Sequence, residues 1–176
     1  MLYVLPFSAI GISHIPEVGG KNASLGEMYN QLSSAGIKVP NGYATTADAY
    51  RYFINHNHLH EKISHALELL DVHDVQALAK TGKQIRSWIL HAEMPDDLAE
   101  AIVQAYLKLG EEYGEYPDVA VRSSATAEDL ADASFAGQQE TYLNISGRRD
   151  LLLTCKRVVA RSEEHTSELQ SPMYLV

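Results

Sequence analysis

Thiols are nearly missing from this sequence. Its one cysteine, Cys155, stands among apolar residues. A single thiol can build neither a disulfide framework nor a cysteine zinc site, and a reducing compartment is the expected setting. Positive charge is also short: 14 Lys and Arg against 23 Asp and Glu leave a formal net charge of −9. Tracking nucleic acid or an anionic membrane needs a concentrated basic surface, so neither is an expected partner. One lysine and one arginine can still make a local phosphate site. No apolar run approaches the length that spans a bilayer. The opening "MLYVLPFSAIGIS" lacks a basic leader region and is interrupted by Pro6 and Ser8. It is not read as a signal peptide, and a cytoplasmic protein is expected.

What is present is ordinary material for a folded domain. The 176 residues, 45% hydrophobic and 21% charged, suffice for one domain with its own core. After "VGGK", residues Leu25, Met28, Tyr29 and Leu32 recur at helical spacing and predict a buried stripe. Gly36 is placed to close that helix in a left-handed cap. "IKVPNGYATT" reads as a short strand and turn, with Pro40 and Gly42 as punctuation. Thr45 and Asp48 resemble a capping box opening a second helix, whose stripe is Tyr50, Phe53 and Ile54. A third helix carries Ile63, Leu67 and Leu70. A fourth follows the cap Asp74, with Val75, Leu78, Ile85, Trp88 and Ile89 inward. Pro95 opens a fifth, with Asp96 and Asp97 near its positive end and Gly110 at its close. "GEEYGEYPD" reads as an acidic loop.

Beyond it the pattern changes. "DVAVRSS" alternates, with Val119 and Val121 on one face and Ala120 and Arg122 on the other. "ETYLNI" is a second strand, and "DLLLTCKRVVA" returns to helix with Leu151, Leu152, Cys155, Val158 and Val159 as its stripe. No internal repeat or low-complexity linker appears. The expected fold is α/β (mixed α+β), a helix-rich unit running into the first strands of a mixed sheet.

Two constellations could carry chemistry. In "VGGKNASLGEM", Gly19 and Gly20 let the backbone approach a ligand, and Lys21 follows at the mouth of a helix. Backbone N–H groups there favour an anion. The spacing is not that of a Walker A loop, and a turn with a solvated lysine accounts for the same residues. In "VRSSATAEDLADASFAG", Arg122 projects opposite the valines, where a guanidinium binds phosphate oxygens bidentately. Ser123, Ser124 and Thr126 add hydroxyls, and Gly137 removes side-chain bulk where a ligand could lie against the backbone. A structural ion pair from Arg122 to Glu128 or Asp129 is the alternative. His56, His58 and His60 in "HNHLH" have no completing carboxylate or cysteine, so a solvated helix end outranks a metal site. No Ser-His-Asp set and no pair of catalytic carboxylates can be argued.

Taken together, "VGGKNASLGEM", "VPNGYATTADAY" and "AVRSSATAEDLADASFAGQQETYLN" closely resemble the amino-terminal nucleotide-binding domain of the phosphoenolpyruvate synthases, the pyruvate, water dikinases. The likeness covers residues 1 to about 160. Pyruvate phosphate dikinase and the rifampicin phosphotransferases share the domain. The resemblance implies the amino-terminal part of an ATP-grasp fold. It also implies a reaction in which ATP phosphorylates a histidine on a swivelling domain, giving AMP and phosphate. The phosphoryl group then passes to pyruvate in a separate barrel, with magnesium. On matching motif positions, Lys21 resembles the phosphate-binding lysine and Arg122 the phosphate-clamping arginine. Gly137 and Thr141 resemble nucleotide contacts near the adenosine.

The departures also matter. No segment here resembles the family's phosphohistidine motif, so no catalytic residue is assigned. The magnesium-binding half of the nucleotide domain and the pyruvate barrel have no counterpart, and no metal ligand is assigned. The expected chain is therefore an ATP-binding fragment that is inactive alone. A rifampicin phosphotransferase fragment and a non-catalytic ATP-sensing module are the alternatives. The tail from Arg161 to Val176, "RSEEHTSELQSPMYLV", reads like one frame of a sequencing-library adapter. It is expected to be non-native, leaving residues 1–160 as the partial domain.

Overall fold

A computed structural model describes residues 2–68, 70–71, 73–125, 141–162 and 173–175 of the chain. Strand β1 (Val4–Pro6) leads through two short 3₁₀ turns into helix α1 (Ile15–Ser34). Strand β2 (Tyr43–Thr45) follows, then α2 (Ala47–His56), α3 (Leu59–Glu68), α4 (Val75–His91) and α5 (Asp96–Tyr113). The chain then passes through β3 (Val119–Ala125), β4 (Thr141–Ile145), α6 (Arg148–Ser162) and β5 (Met173–Leu175). The fold is helix-rich with two small sheets, β1-β2 and β4-β3-β5. Every described pairing is antiparallel, where a mixed sheet was expected.

The main core lies among α2 to α6 and the inner face of β3. Phe53, Ile63, Ile85, Ile89, Ile102, Tyr106, Val121, Cys155 and Val158 are all buried there. Tyr106 does more than fill space. Its hydroxyl donates to the Pro117 carbonyl at 2.9 Å and accepts the Gly147 N–H at 3.0 Å, tying the approach to β3 to the turn before α6. At the amino end, Tyr3 stacks on Tyr52 at 5.1 Å, and both hydroxyls donate to Asp97. That clasp ties the residue preceding β1 to α2 and α5.

Several element boundaries differ from the sequence reading, each for a local reason. The cap of α2 is Thr46, whose Oγ1 accepts the Ala49 N–H, because Thr45 is taken up in β2. Asp74 caps α4 as expected, accepting the Gln76 and Ala77 N–H groups at 2.9 and 3.0 Å. Val75 and Leu78 nevertheless stay exposed, because the first turns of α4 overhang the core that Ile85 and Ile89 enter. Helix α5 runs through Gly110 to Tyr113 and stops at Gly114, so the front of the expected acidic loop is helical. His56 ends α2 and His60 lies in α3, so the two share no continuous helix.

Helix α1 carries the largest correction. The expected stripe Leu25, Met28, Tyr29 and Leu32 is half-buried or exposed, with Met28 47% exposed. The buried residues are Val18, Gly19, Asn22, Ala23 and Gly26. Close approach explains the choice. A Cβ on Gly26 would sit 2.5 Å from the Ile10 carbonyl oxygen, so only a small-residue face can lie against that turn. At the other end, Gly36 adopts φ +78° while its N–H bonds Ser33 and the Ile37 N–H bonds Leu32. These two bonds form the Schellman closure.

Candidate nucleotide site

The expected alternation along β3 holds, with Val121 buried in the main core and Val119 packed against it. The irregularity in the ladder is an extra residue on β4, where Ile145 to Tyr142 lies opposite Val119 to Val121. Ala120 and Arg122, on the other face, line one cleft, to which Val119 also contributes. The register then sets Arg122 directly opposite Thr141 of β4. Directly opposed residues project from the same sheet face, with Cβ atoms about 4.5–5.5 Å apart. Both line the same cavity of about 570 Å³, within the size range of small-molecule sites.

The cavity has two kinds of wall. Leu25 and Met28 of α1, with Pro40 and Tyr113, make an apolar side, and Arg122 and Thr141 a polar one. Of the expected α1 stripe, Leu25 and Met28 thus wall the cleft, while Leu25 and Tyr29 also pack against the smaller core cluster around Phe7 and Ile10. The loop bearing Pro40 is fastened to the end of α5. The Asn41 N–H donates to the Tyr113 hydroxyl at 2.7 Å, and Asn41 Nδ2 donates to Glu112 at 3.0 Å. Desolvation raises the Tyr113 phenol above its ordinary value of 10.0, so it stays neutral near pH 7. A second groove of about 630 Å³ lies along Tyr3, Val4, Ala105 and Lys108, and none of the described candidate residues lines it.

Lys21 is exposed and lies outside the cavity lining. A different contact links it to Arg122. Gly19 breaks α1 with φ 77° and ψ 162°, a conformation open to glycine, and Lys21 falls in the turn that restarts the helix. Next to it, the Asn22 N–H donates to Ser124 Oγ at 3.3 Å. Ser124 stands two residues after Arg122 on β3. One hydrogen bond across 102 positions thus brings the two basic candidates to adjoining elements. The Asn22 side chain donates from Nδ2 to the Val18 carbonyl at 2.9 Å, closing the kink. Its Oδ1 has no hydrogen-bond partner among the described residues, an arrangement that costs about 1–3 kcal/mol. Of the other candidates, Gly137, Thr126, Glu128 and Asp129 lie outside the described residues.

Asn22, Asn41 and Tyr113 were not singled out from the sequence. Their roles depend on partners 71 to 102 positions away or on a kink that composition does not reveal. Among the described residues, no group of three or more His, Cys, Asp or Glu could hold a metal ion, and no helix is long and apolar enough to cross a membrane.

Residues 15–166 match the family described as pyruvate phosphate dikinase, AMP/ATP-binding domain. The chain belongs to this family. It is also similar to several proteins named phosphoenolpyruvate synthase. That of Deinococcus radiodurans is 52% identical over 157 residues, covering 89% of this chain and 20% of the relative. That of Pseudomonas aeruginosa is 53% identical over 158 residues, covering 90% and 20%. That of Escherichia coli is 48% identical over 157 residues, covering 89% and 20%. The chain spans about a fifth of the length of these relatives.

Proposed function

We propose that this chain is the ATP-binding front of a phosphoenolpyruvate synthase, with Lys21, Arg122, Gly137 and Thr141 as nucleotide contacts. The observation that carries the reading is the opposition of Arg122 and Thr141 on one wall of the cleft. A guanidinium there can take phosphate oxygens in two parallel hydrogen bonds. The apolar wall of Leu25, Met28 and Tyr113 suits the face of a base. Lys21 adds a second positive charge from the restarted helix. Positive groups fixed before the reaction offset the charge that develops during phosphoryl transfer.

Residues 1–160 are read as the amino-terminal part of an ATP-grasp domain, and Arg161 to Val176 as a non-native tail. The whole enzyme would convert pyruvate, ATP and water to phosphoenolpyruvate, AMP and phosphate through a phosphohistidine on another domain, in the cytoplasm. Magnesium would be held by residues outside this chain, and the residues here bind and orient the nucleotide. The relatives' shared name favours pyruvate over rifampicin as the acceptor.

ATP titration of the purified chain, followed by calorimetry and melting, tests the binding. Saturation at a hundred times the dissociation constant stabilises by about 2.7 kcal/mol. Arg122→Ala is expected to abolish that shift and Lys21→Ala to reduce it, each leaving the unliganded melting temperature near its starting value. An ATP response that survives Arg122→Ala would overturn the assignment. Pyruvate-dependent AMP release by the chain alone would overturn its reading as an inactive part. Sequencing the source locus through the codon for Ala160 tests the tail.

A further inference from the structure

We propose that Asn22 and Ser124 are positioning residues that set Lys21 against Arg122, a role resting on the phosphate reading of those two cations. The argument begins with the kink. A helix that restarts after Gly19 presents N–H groups with no carbonyl one turn earlier. Ser124 Oγ accepts one of them, that of Asn22, from a strand remote in sequence. Both residues are fully buried, so water does not compete for the bond. The Asn22 side chain is spent on the other side of the kink, holding the Val18 carbonyl. Together these bonds fix where the restarted turn begins and where it sits along β3.

Lys21 and Arg122 flank this latch, one residue before Asn22 and two before Ser124. Arg122 and Ser124 alternate onto the same face of β3. A shift of α1 along the strand therefore changes the spacing of the two charges directly. Asn22 is also an expensive residue for filling space. Its Oδ1 is buried without a described partner, and an apolar residue would avoid that penalty. Its usefulness lies in Nδ2 and the kink it closes.

The test compares Ser124→Ala with Ser124→Thr in the full chain, each alone and combined with Lys21→Ala, using ATP as the probe. Ser124→Ala is expected to weaken ATP binding roughly fivefold, the scale of one intramolecular hydrogen bond. Ser124→Thr keeps the hydroxyl and should restore most of the affinity. In the Lys21→Ala background Ser124→Ala should add nothing, because the group it positions is gone. Independent, additive losses would overturn the proposal, as would unchanged affinity in Ser124→Ala. A merely structural role would lower the melting temperature without this non-additivity.

Amide hydrogen exchange supplies a readout free of ligand. In Ser124→Ala the Asn22 amide should exchange roughly fivefold or more faster, with Ile102 and Tyr106 of α5 unchanged. Unaltered protection at Asn22 would overturn the latch whether or not ATP binds. If the chain binds no ATP while exchange responds as expected, the nucleotide reading fails for the chain and the latch stands.

Discussion

The two halves of this molecule are packed by different rules. Around α2 to α6, large side chains fill the interior: Ile63, Ile85, Ile89, Ile102 and Tyr106 are all essentially inaccessible. Where α1 meets the turn at Ile10 and strand β3, Phe7 and Ile10 pack against a small-residue face of Val18, Asn22, Ala23, Gly26 and Ser124. The first region gains stability from apolar volume removed from water. The second is organised by close backbone approach and hydrogen bonds between buried polar groups, and it is where the candidate cations lie. The difference teaches that size-based periodicity locates a core but passes over the elements that build this cleft.

Four substitutions can break or sharpen that contrast. The largest effect belongs to the volume-packed side. Ile89→Ala should cost about 2–5 kcal/mol in urea unfolding, because a fully buried isoleucine leaves a cavity. A cost below 1 kcal/mol would mean that the helical core is loosely packed. On the other side, Gly26→Ala should destabilise by about 1–3 kcal/mol through overpacking, since the new Cβ meets the Ile10 carbonyl oxygen at 2.5 Å. Removing the cap of α4 with Asp74→Ala should cost about 1 kcal/mol, losing the bonds to Gln76 and Ala77.

The smallest effect has the opposite sign. At Gly110, inside α5, the nearest atom to an added Cβ is Pro117 Cδ at 3.8 Å. Gly110→Ala should therefore stabilise by about 0.5–1 kcal/mol through helix propensity. The same substitution would then raise stability in one region and lower it in the other. Equal signs would erase the distinction.

Alkaline pH probes the volume-packed core without mutation. Burial pushes the Cys155 thiol from 9.0 up to about 12, and raises the Tyr43 phenol well above 10.0. Each group holds its proton more tightly when folded. Their contribution is fully present below pH 9 and is lost as pH rises through the window from 9 towards 12. Melting temperatures should be flat near neutrality and fall across that window. Ellman's reagent at pH 8 should react with Cys155 only after unfolding.

Much of the helical half was legible from the sequence. Phe53 and Ile54, Ile85 and Ile89, and Leu98 through Leu109 are buried on the faces their periodicity marked, because a repeat of 3.6 residues is a local property. The Asp74 cap and the Gly36 closure were legible for the same reason, since each acts within one turn. Arg122 and Lys21 stood out as cations in small, polar surroundings, and the family motif named Gly137 and Thr141 beside them. Composition could not say that Arg122 faces Thr141, because that depends on strand register and on a bulge one residue long. Nor could it say that Leu25 and Met28 wall a cleft, because burial belongs to whichever face a neighbour covers. The sequence by itself determined which segments are helix and which residues carry the positive charge and hydroxyls near the cleft. Tertiary structure alone decided which of them meet, since contacts such as Asn22 with Ser124 form only after segments far apart in the chain have packed.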